Sequence, residues 1–429
     1  MNHQGHRTAP LTLAQLAMFQ ALRDDLSAPS TIEVSYRIEG PLDVAAFVAS
    51  VGEVVQGHDA LRLAVCWCGD DGPHQWVRDT PPLAGLVGCR RVKAGTEERF
   101  TRYAVGLAGK DASAPWDPRT EYPFRLRLLQ YSPQVHAFVA TFSQLAVDGS
   151  VRAVFDRELW QAYRRRLGDG GPAAEPGPQF LATAEAPDHG PADDLATAEF
   201  WRHRFAHLPG GQGLFGDTPA GAAEAGTVEL DFALDGERLR SMRSAAGSHR
   251  ATELVWIQHA LVRAVFDRTE ADSLALWQPV DTRGLRELRV LGMFTVSLPL
   301  VVRRAGSAPE LVRALTEEWF AVLEHRRVTR ASAEASGAAD LGRLVGGPER
   351  LVRLAYVGHP RQTVRTAVGD LALRYGTYAP PRERAVDGVH LKAGSWGDRI
   401  EFHLTCNRAW FTEDDARQLR AGLERLLVG

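Results

Sequence analysis

The hydrophobic positions of this chain alternate between strand-like and helix-like spacing. Ile32, Val34, Tyr36 and Ile38 alternate with polar residues, which predicts a half-buried strand that ends at Gly40-Pro41. Segments with apolar residues three and four positions apart follow such strands repeatedly along the chain. This order predicts a mixed α/β (α+β) protein.

The same patterns predict the individual elements. Helical spacing predicts helices at 44–55, 96–107, 151–163, 196–206, 236–246, 252–266, 309–326 and 413–428. Alternating or continuous apolar runs predict strands at 32–38, 61–67, 124–131, 135–142, 228–234, 273–280, 294–302, 351–357, 371–375, 389–393 and 399–406. Asp43 and Thr412 are placed to cap the first and last helices, and Ser132-Pro133 to turn a hairpin.

A glycine- and proline-rich segment, Gly168–Gly177, separates two halves of similar design. A chain of 429 residues is long for a single hydrophobic core. We therefore predict two lobes, 1–175 and 176–429, joined by a polar stretch that continues to about Asp194.

Composition narrows the classes of partner. The 50 Lys and Arg nearly balance the 53 Asp and Glu, which gives no electrostatic reason to expect nucleic acid. No apolar run reaches the roughly 18 residues of a membrane span, and the N-terminus lacks an apolar signal core. Cys66 and Cys68 have no matching second pair, so we expect no zinc site. The sparse cysteines are typical of a cytoplasmic protein.

The segment 143–150, Ser-Gln-Leu-Ala-Val-Asp-Gly-Ser, is named the site loop below. It lies between the apolar strand 135–142 and the helix 151–163. The Asp-Gly pair at 148–149 therefore stands at a predicted strand-to-helix turn.

Several segments together resemble one family, the condensation domains of nonribosomal peptide synthesis. They occur in the family's order at 11–19, 57–62, 143–149, 200–202, 279–300 and 404–411. The family carries His-His-x-x-x-Asp-Gly at 143–149, where this chain has Ser143 and Gln144 followed by Asp148 and Gly149. Each segment alone is weak evidence for the resemblance, but the six segments together occur in the family's order over nearly the whole chain.

The resemblance implies two chloramphenicol-acetyltransferase-like lobes in a V-shaped pseudo-dimer with a tunnel between them. Crossover segments near 291–302 and 378–387 would close that tunnel. The implied partners are peptidyl or acyl carrier proteins, which deliver a thioester-bound small-molecule substrate on phosphopantetheine. We expect no cofactor or metal belonging to the chain itself.

The resemblance also implies structural roles at the site loop. Asp148 would pair with Arg283, and breaking such a pair, if buried, costs roughly 3–5 kcal/mol because one charge is stranded. Gly149 would permit the turn or close packing.

The two replaced histidines define the chemical question. An amide does not titrate in the working range, so Gln144 is not a general base. Losing base assistance costs about 10²–10⁴-fold in rate, whereas holding two thioesters in register supplies about 10⁵–10⁸ M of effective concentration. Ser143 and Gln144 therefore either position a substrate or fill an inactive site.

Other histidines are poor replacements for the missing base. His136 lies eight residues before Gln144, about 26 Å away along a strand at about 3.3 Å per residue. His58 and Arg62 belong to a segment expected to pack. Structural roles are expected for three further histidines, His359, His390 and His403.

Two functional hypotheses follow. The first is a free-standing condensation-like acyltransferase of specialised metabolism, such as antibiotic biosynthesis, that joins a carrier-bound thioester to an amine or alcohol. The second is a catalytically silent module that docks a carrier protein or tailoring enzyme. Transfer from free coenzyme A is less favoured, because acetyltransferase relatives depend on the second His. Ser143, Gln144 and Gly149 match neither heterocyclising, epimerising nor oxygenase-recruiting relatives.

Overall fold

The chain forms two compact units. The computed structural model describes residues 8–24, 30–66, 72–172, 177–185, 191–209, 214–216, 225–328, 351–359, 365–376, 378 and 387–429. Unit 1 comprises Met1–Gly190, Arg283–Thr295 and Val364–Pro381. Unit 2 comprises Pro191–Thr282, Val296–Thr363 and Arg382–Gly429. The division at residue 175 thus differs from the compact units, because unit 1 also takes 176–190 and two segments from later in the chain.

The strands and helices are numbered in chain order. The strands are β1 Thr8–Pro10, β2 Thr31–Glu39, β3 Leu63–Cys66, β4 His74–Val77, β5 Gly88–Arg91, β6 Phe124–Ser132, β7 Val135–Ser143, β8 Thr227–Asp235, β9 Ser273–Asp281, β10 Thr295–Arg303, β11 Val352–His359, β12 Arg365–Val368, β13 Leu371–Tyr375, β14 Val389–Trp396 and β15 Arg399–Asn407. The helices are α1 Leu13–Asp24, α2 Val44–Gly57, α3 Glu97–Ser113, α4 Val151–Arg166, α5 Phe180–Glu185, α6 Pro191–Ala206, α7 Gly236–Ser248, α8 Glu253–Phe266, α9 Ala308–Glu324 and α10 Glu413–Val428.

Unit 1 is built on a six-stranded sheet in the order β12-β13-β2-β7-β6-β5. Strand β7 lies inside this sheet and is buried on both faces, because its side chains alternate between two cores. Phe138, Ala140 and Phe142 join the core beneath α2 and α4. Ala137 and Val139 join the core beneath α3. Strand β7, whose end opens the site loop, is therefore held from both sides.

The hairpin β12–β13 comes from late in the chain and completes this sheet at one edge. Strand β13 pairs antiparallel with β2, from Ala372 opposite Glu39 to Tyr375 opposite Tyr36. Tyr375 also donates its hydroxyl to the buried carboxylate of Asp156, at 3.2 and 3.0 Å from the two oxygens. The predicted crossover 378–387 lies almost wholly outside the described residues.

Unit 2 has its own six-stranded sheet, in the order β10-β9-β11-β14-β15-β8. The Trp256 indole in α8 donates to Leu427 O of α10 at 2.9 Å, which ties these two helices together. Trp201, from the 200–202 segment, donates its indole N–H to His325 O at 2.8 Å and so joins α6 to the end of α9. In the described part of the chain, no helix is both long and apolar enough to cross a membrane.

The mixed α/β prediction is confirmed, as are many of its local signals. The Asp43 carboxylate accepts from Ala46 N at 2.9 Å, and the Thr412 hydroxyl from Asp415 N at 3.1 Å. Strands β6 and β7 form the predicted antiparallel hairpin.

One local prediction is wrong. Residues 61–62 belong to a 3-10 helix, Asp59–Arg62, before β3 begins at Leu63, and Trp67 lies outside the described residues. The polar stretch after 177 contains the short helix α5, which Asp59 stabilises by accepting hydrogen bonds from its first two amides.

Candidate functional site

The site loop is a tight connection between β7 and α4. Ala146 N and Val147 N both donate to Ser143 O, at 3.1 and 3.2 Å, and Val151 N donates to Asp148 O at 3.0 Å. Leu145, Ala146 and Val147 are buried. Because apolar residues fill the middle of the loop, the polar residues at its two ends have separate surroundings.

Asp148 forms a buried, two-pronged ion pair with Arg283. The two residues are 2% and 4% exposed. Arg283 donates to Asp148 Oδ2 at 2.7 Å and to Oδ1 at 3.1 Å. Asp148 also accepts from Phe294 N at 3.0 Å and Ser150 N at 3.0 Å. Burial alone would raise the pKa of Asp148, but the charge and hydrogen bonds of Arg283 outweigh it, so this pKa lies below its usual value.

The Arg283 guanidinium also donates hydrogen bonds to backbone oxygens. It donates to Val290 O at 3.1 Å and to Gly292 O at 3.1 Å, and it lies 4.2 Å from the centre of the Phe294 ring. Asp148 N also donates to Gly292 O, at 3.1 Å. Hydrogen bonds therefore join the segment Arg283–Thr295 to the site loop, and both charged groups of the ion pair have hydrogen-bond partners.

Gly292 has a steric role that the sequence did not reveal. A Cβ added there would lie 2.1 Å from Cδ2 of Phe180, far inside contact distance. Phe180 also packs edge-on against Phe294, with ring centres 5.2 Å apart. Phe180 is in turn fixed by Asp59, whose carboxylate accepts from Phe180 N at 2.9 Å. Only glycine fits between this ring and the Asp148–Arg283 pair.

Gly149 does not have the role predicted for it. Its φ is not in the left-handed region, and a Cβ there would meet nothing within 4 Å. Neither the turn nor close packing requires glycine at this position. The sharp steric demand lies instead at Gly292.

Ser143 ends β7 and is nearly buried. Its hydroxyl accepts from Leu145 N at 3.3 Å, so it stabilises the first turn of the site loop. It also borders a mainly apolar cleft with room for about one water molecule. The other residues of this cleft are Leu63, Val65, Trp116, Pro118, Glu121, Pro123, Leu145 and Ala146.

Gln144 is only partly buried and is held by Ser30. Its backbone N–H donates to Ser30 O at 3.0 Å, and its side-chain oxygen Oε1 accepts from the Ser30 hydroxyl. Among the residues that the structure describes, none accepts a hydrogen bond from Gln144 Nε2. The amide oxygen is thus occupied while the amide N–H groups remain available. Nothing in the sequence around Ser30 pointed to this contact.

The remaining histidines have no role at the site loop in the described structure. His136 is buried, and burial lowers its pKa, so it is neutral at neutral pH. His58 contacts Glu158 at 2.6 Å, and Arg62 donates to Arg78 O at 2.9 Å, both packing contacts between elements of unit 1. His403 contacts Asp231 at 2.6 Å in unit 2. No group of three or more potential metal ligands occurs among the described residues.

Comparison with known proteins identifies the family. The sequence profile of the condensation domain matches residues 6–330. Phosphinothricin tripeptide synthetase PhsB of Streptomyces viridochromogenes is 28% identical over 316 residues, which is 71% of this chain and 26% of that protein. The isonitrile lipopeptide synthase of Mycobacterium tuberculosis is 26% identical over 343 residues, which is 74% of this chain and 13% of that protein. The chain thus spans about a quarter or less of these relatives.

Solved structures agree on the fold. The first condensation domain of the calcium-dependent antibiotic synthetase, in complex with a substrate analogue, is similar with a TM-score of 0.77 and 18% identity, over 100% of this chain and 96% of that one. The X-domain from teicoplanin biosynthesis is similar with a TM-score of 0.74 and 21% identity, over 100% and 95%. With the profile match over most of its length and this shared fold, the chain belongs to the condensation-domain family.

Proposed function

We propose that this protein catalyses a condensation-type acyl transfer in which Gln144 positions the reacting carbonyl and no side chain replaces the missing base. The substrates would be a carrier-bound acyl or aminoacyl thioester and an amine acceptor. One observation carries this proposal: the amide oxygen of Gln144 accepts from Ser30, whereas its N–H groups have no acceptor among the described residues. That arrangement favours donation to a substrate oxygen.

The chemistry requires no titrating group on the protein if the acceptor is a neutral amine. The amine nitrogen attacks the thioester carbonyl carbon, a C–N bond forms, and the C–S bond then breaks. The thiolate leaves with the phosphopantetheine arm, and the extra proton on nitrogen passes to it directly or through water. Negative charge develops on the carbonyl oxygen during attack, and a fixed N–H donor such as Gln144 Nε2 stabilises it.

The rate lost without a base and the rate gained by alignment are together compatible with a slow catalyst. Absence of a base forfeits about 10²–10⁴-fold in rate. Alignment of two bound thioesters supplies about 10⁵–10⁸ M of effective concentration. Alignment therefore outweighs the missing base, provided that the residues near the reacting carbon are held firmly. The buried Asp148–Arg283 pair supports this firmness on one side of the loop.

The nonribosomal peptide relatives support a carrier protein as the partner. Condensation domains of these systems work with carrier domains that bear phosphopantetheine. PhsB and the isonitrile lipopeptide synthase are much longer than the matched region. We extend this partner class to the present chain, together with a place in specialised metabolism.

The test is reconstitution with a carrier-bound donor and a free amine, followed by mass spectrometry of the product. Gln144→Ala is expected to lower the rate about 10²–10³-fold, as loss of an oxyanion donor does. Gln134→Ala is the matched control, because Gln134 is exposed in the turn of the same hairpin. Equal rates for the two variants, or no product from the unmodified protein with any donor tested, would contradict the proposal.

A docking module is the second candidate, and two observations favour it. Neither Ser143 nor Gln144 transfers a proton at working pH, and the structurally similar X-domain has been solved in a complex with OxyB. For a docking role, Gln144→Ala leaves product formation in producing cells unchanged, whereas deletion of the whole protein abolishes it. The same variant therefore separates the two functions.

A further inference from the structure

We infer that the side chains of Gln15 and Gln75 together fix the backbone beside Gln144. This pair is named the amide clamp. The clamp would make both glutamines positioning residues for the site loop. Its catalytic consequence rests on the function proposed above, but its structural consequence does not. Hydrogen exchange of the site loop and the catalytic rate therefore test the two consequences separately.

The two side chains bond to each other in both directions. Gln15 Nε2 donates to Gln75 Oε1 at 2.8 Å, and Gln75 Nε2 donates to Gln15 Oε1 at 2.9 Å. The second N–H of each amide reaches a backbone oxygen. Gln15 Nε2 donates to Leu145 O at 3.1 Å, and Gln75 Nε2 donates to Pro10 O at 3.0 Å.

The clamp has no unused N–H and no access to water. Both residues are fully buried, at 0% exposure. Gln15 Oε1 also accepts from Thr12 N at 3.0 Å, while the Thr12 hydroxyl accepts from Gln15 N at 3.2 Å, so α1 begins with a reciprocal cap. A carboxylate would lose the donors, and an apolar side chain would leave buried backbone oxygens unpaired. Only an amide at each position satisfies every neighbour.

The clamp acts on the residue next to the proposed positioning group. Leu145 follows Gln144 directly, so the bond to Leu145 O fixes the chain on its far side. Ser30 O, which accepts from Gln144 N at 3.0 Å, fixes the near side. Gln144 is therefore held between Ser30 and the clamp, both distant from it in sequence. This restraint acts opposite the Asp148–Arg283 end of the loop.

Unit 2 contains a natural control of the same chemistry. Gln258 Nε2 donates to Gln278 Oε1 at 2.8 Å, and these residues are 0% and 3% exposed. This pair joins α8 to β9 within unit 2, whereas the clamp and residues 143–150 belong to unit 1. Loss of either pair removes a buried amide–amide hydrogen bond, but only loss of the clamp should loosen residues 143–150.

The experiment is hydrogen exchange, read by mass spectrometry, on the full chain carrying Gln75→Leu or Gln278→Leu. We expect exchange in peptides spanning 143–150 to quicken by about tenfold or more in Gln75→Leu and to stay unchanged in Gln278→Leu, since local opening is set by local contacts. Equal exchange at 143–150 in both variants would overturn the inference. If Gln75→Leu does not fold, the shorter amide in Gln75→Asn serves as the milder variant, with the same expected direction.

Activity gives the second readout. If the proposed reaction is confirmed, Gln75→Asn should lower the maximal rate while the donor concentration for half-maximal rate stays unchanged, because the clamp orients Gln144 and does not touch substrate. A change in that concentration alone would contradict a positioning role. If no reaction is found for the unmodified protein, the exchange result still decides whether the clamp holds the loop.

Discussion

The two ends of the site loop differ in how completely their polar groups are paired. At the Asp148 end, a buried carboxylate and guanidinium share two direct hydrogen bonds and several backbone partners. At the Gln144 end, a partly buried amide has its oxygen bonded to Ser30 and its N–H groups available. The two ends therefore differ in pairing and in burial, because Asp148 is buried and Gln144 is only partly buried.

Within eight residues, one end of the loop is constrained by a buried ion pair and the other end is not. A buried ion pair cannot lose one member without a large penalty. A partly exposed amide has no such constraint, so its identity is free to follow the reaction.

Arg283→Met should be the most damaging change, because it strands the buried carboxylate of Asp148. We expect a loss of about 3–5 kcal/mol in the free energy of unfolding, measured by urea denaturation. Arg399→Met is the control, since Arg399 pairs with Asp235 on the surface of unit 2. That variant should lose less than about 1 kcal/mol. Similar losses for the two would contradict the anchoring role of Arg283.

Asp156 is a second buried carboxylate and, unlike Asp148, it has no cationic partner among the described residues. Burial raises its pKa from 3.8 to about 6, and the hydrogen bond from Tyr375 opposes this only partly. A raised folded-state pKa means that stability falls as pH rises from about 4 to about 6. Asp156→Asn should therefore be more stable than the unmodified protein at pH 8, on the order of 1–3 kcal/mol, with the difference shrinking at pH 5.

Asp148→Asn should change the free energy of unfolding in the opposite direction from Asp156→Asn. Its lowered pKa contributes stability above about pH 4, which is lost as pH falls. Asp148→Asn is therefore destabilised at pH 7, with less difference at low pH. Thermal unfolding of both variants across this pH range measures the contrast, and two curves of the same sign would refute the account of these pKa shifts.

The two glycines beside the ion pair provide the next test. Gly292→Ala places a methyl group against the Phe180 ring and should cost about 1–3 kcal/mol by overpacking. Gly149→Ala meets open space and should stay within about 0.5 kcal/mol of the unmodified protein. Differential scanning calorimetry of the matched pair suffices. A larger loss at Gly149 would restore the role that the sequence had predicted.

The sequence predicted the anchored end of the site better than the open end. The pairing of Asp148 with Arg283 was implied by the resemblance to the condensation-domain family, although 135 residues separate them. Ser30, Phe180 and Gln75 were missed because their contacts depend on three-dimensional packing and no local pattern marks them. Gly149 was misjudged because glycine has several uses, and only backbone angles and neighbouring atoms distinguish them.

Element prediction followed the same logic. Long periodic segments such as α2, α8 and β7 were predicted because the spacing of apolar residues within each segment matches the positions that are buried. Short elements were missed where a distant partner stabilises them. Strand β5 is mostly exposed and forms by pairing with β6, and α5 is capped by Asp59. Neither partner is visible in the local sequence.

The most direct test of the central claim is the pH dependence of the rate of product formation in the reconstituted system. If Gln144 positions the carbonyl and no protein base takes part, the rate rises only with deprotonation of the acceptor amine and follows that amine's own pKa when acceptors are exchanged. A break between pH 5 and 8 that stays fixed across different acceptors would reveal a titrating protein group and contradict the account.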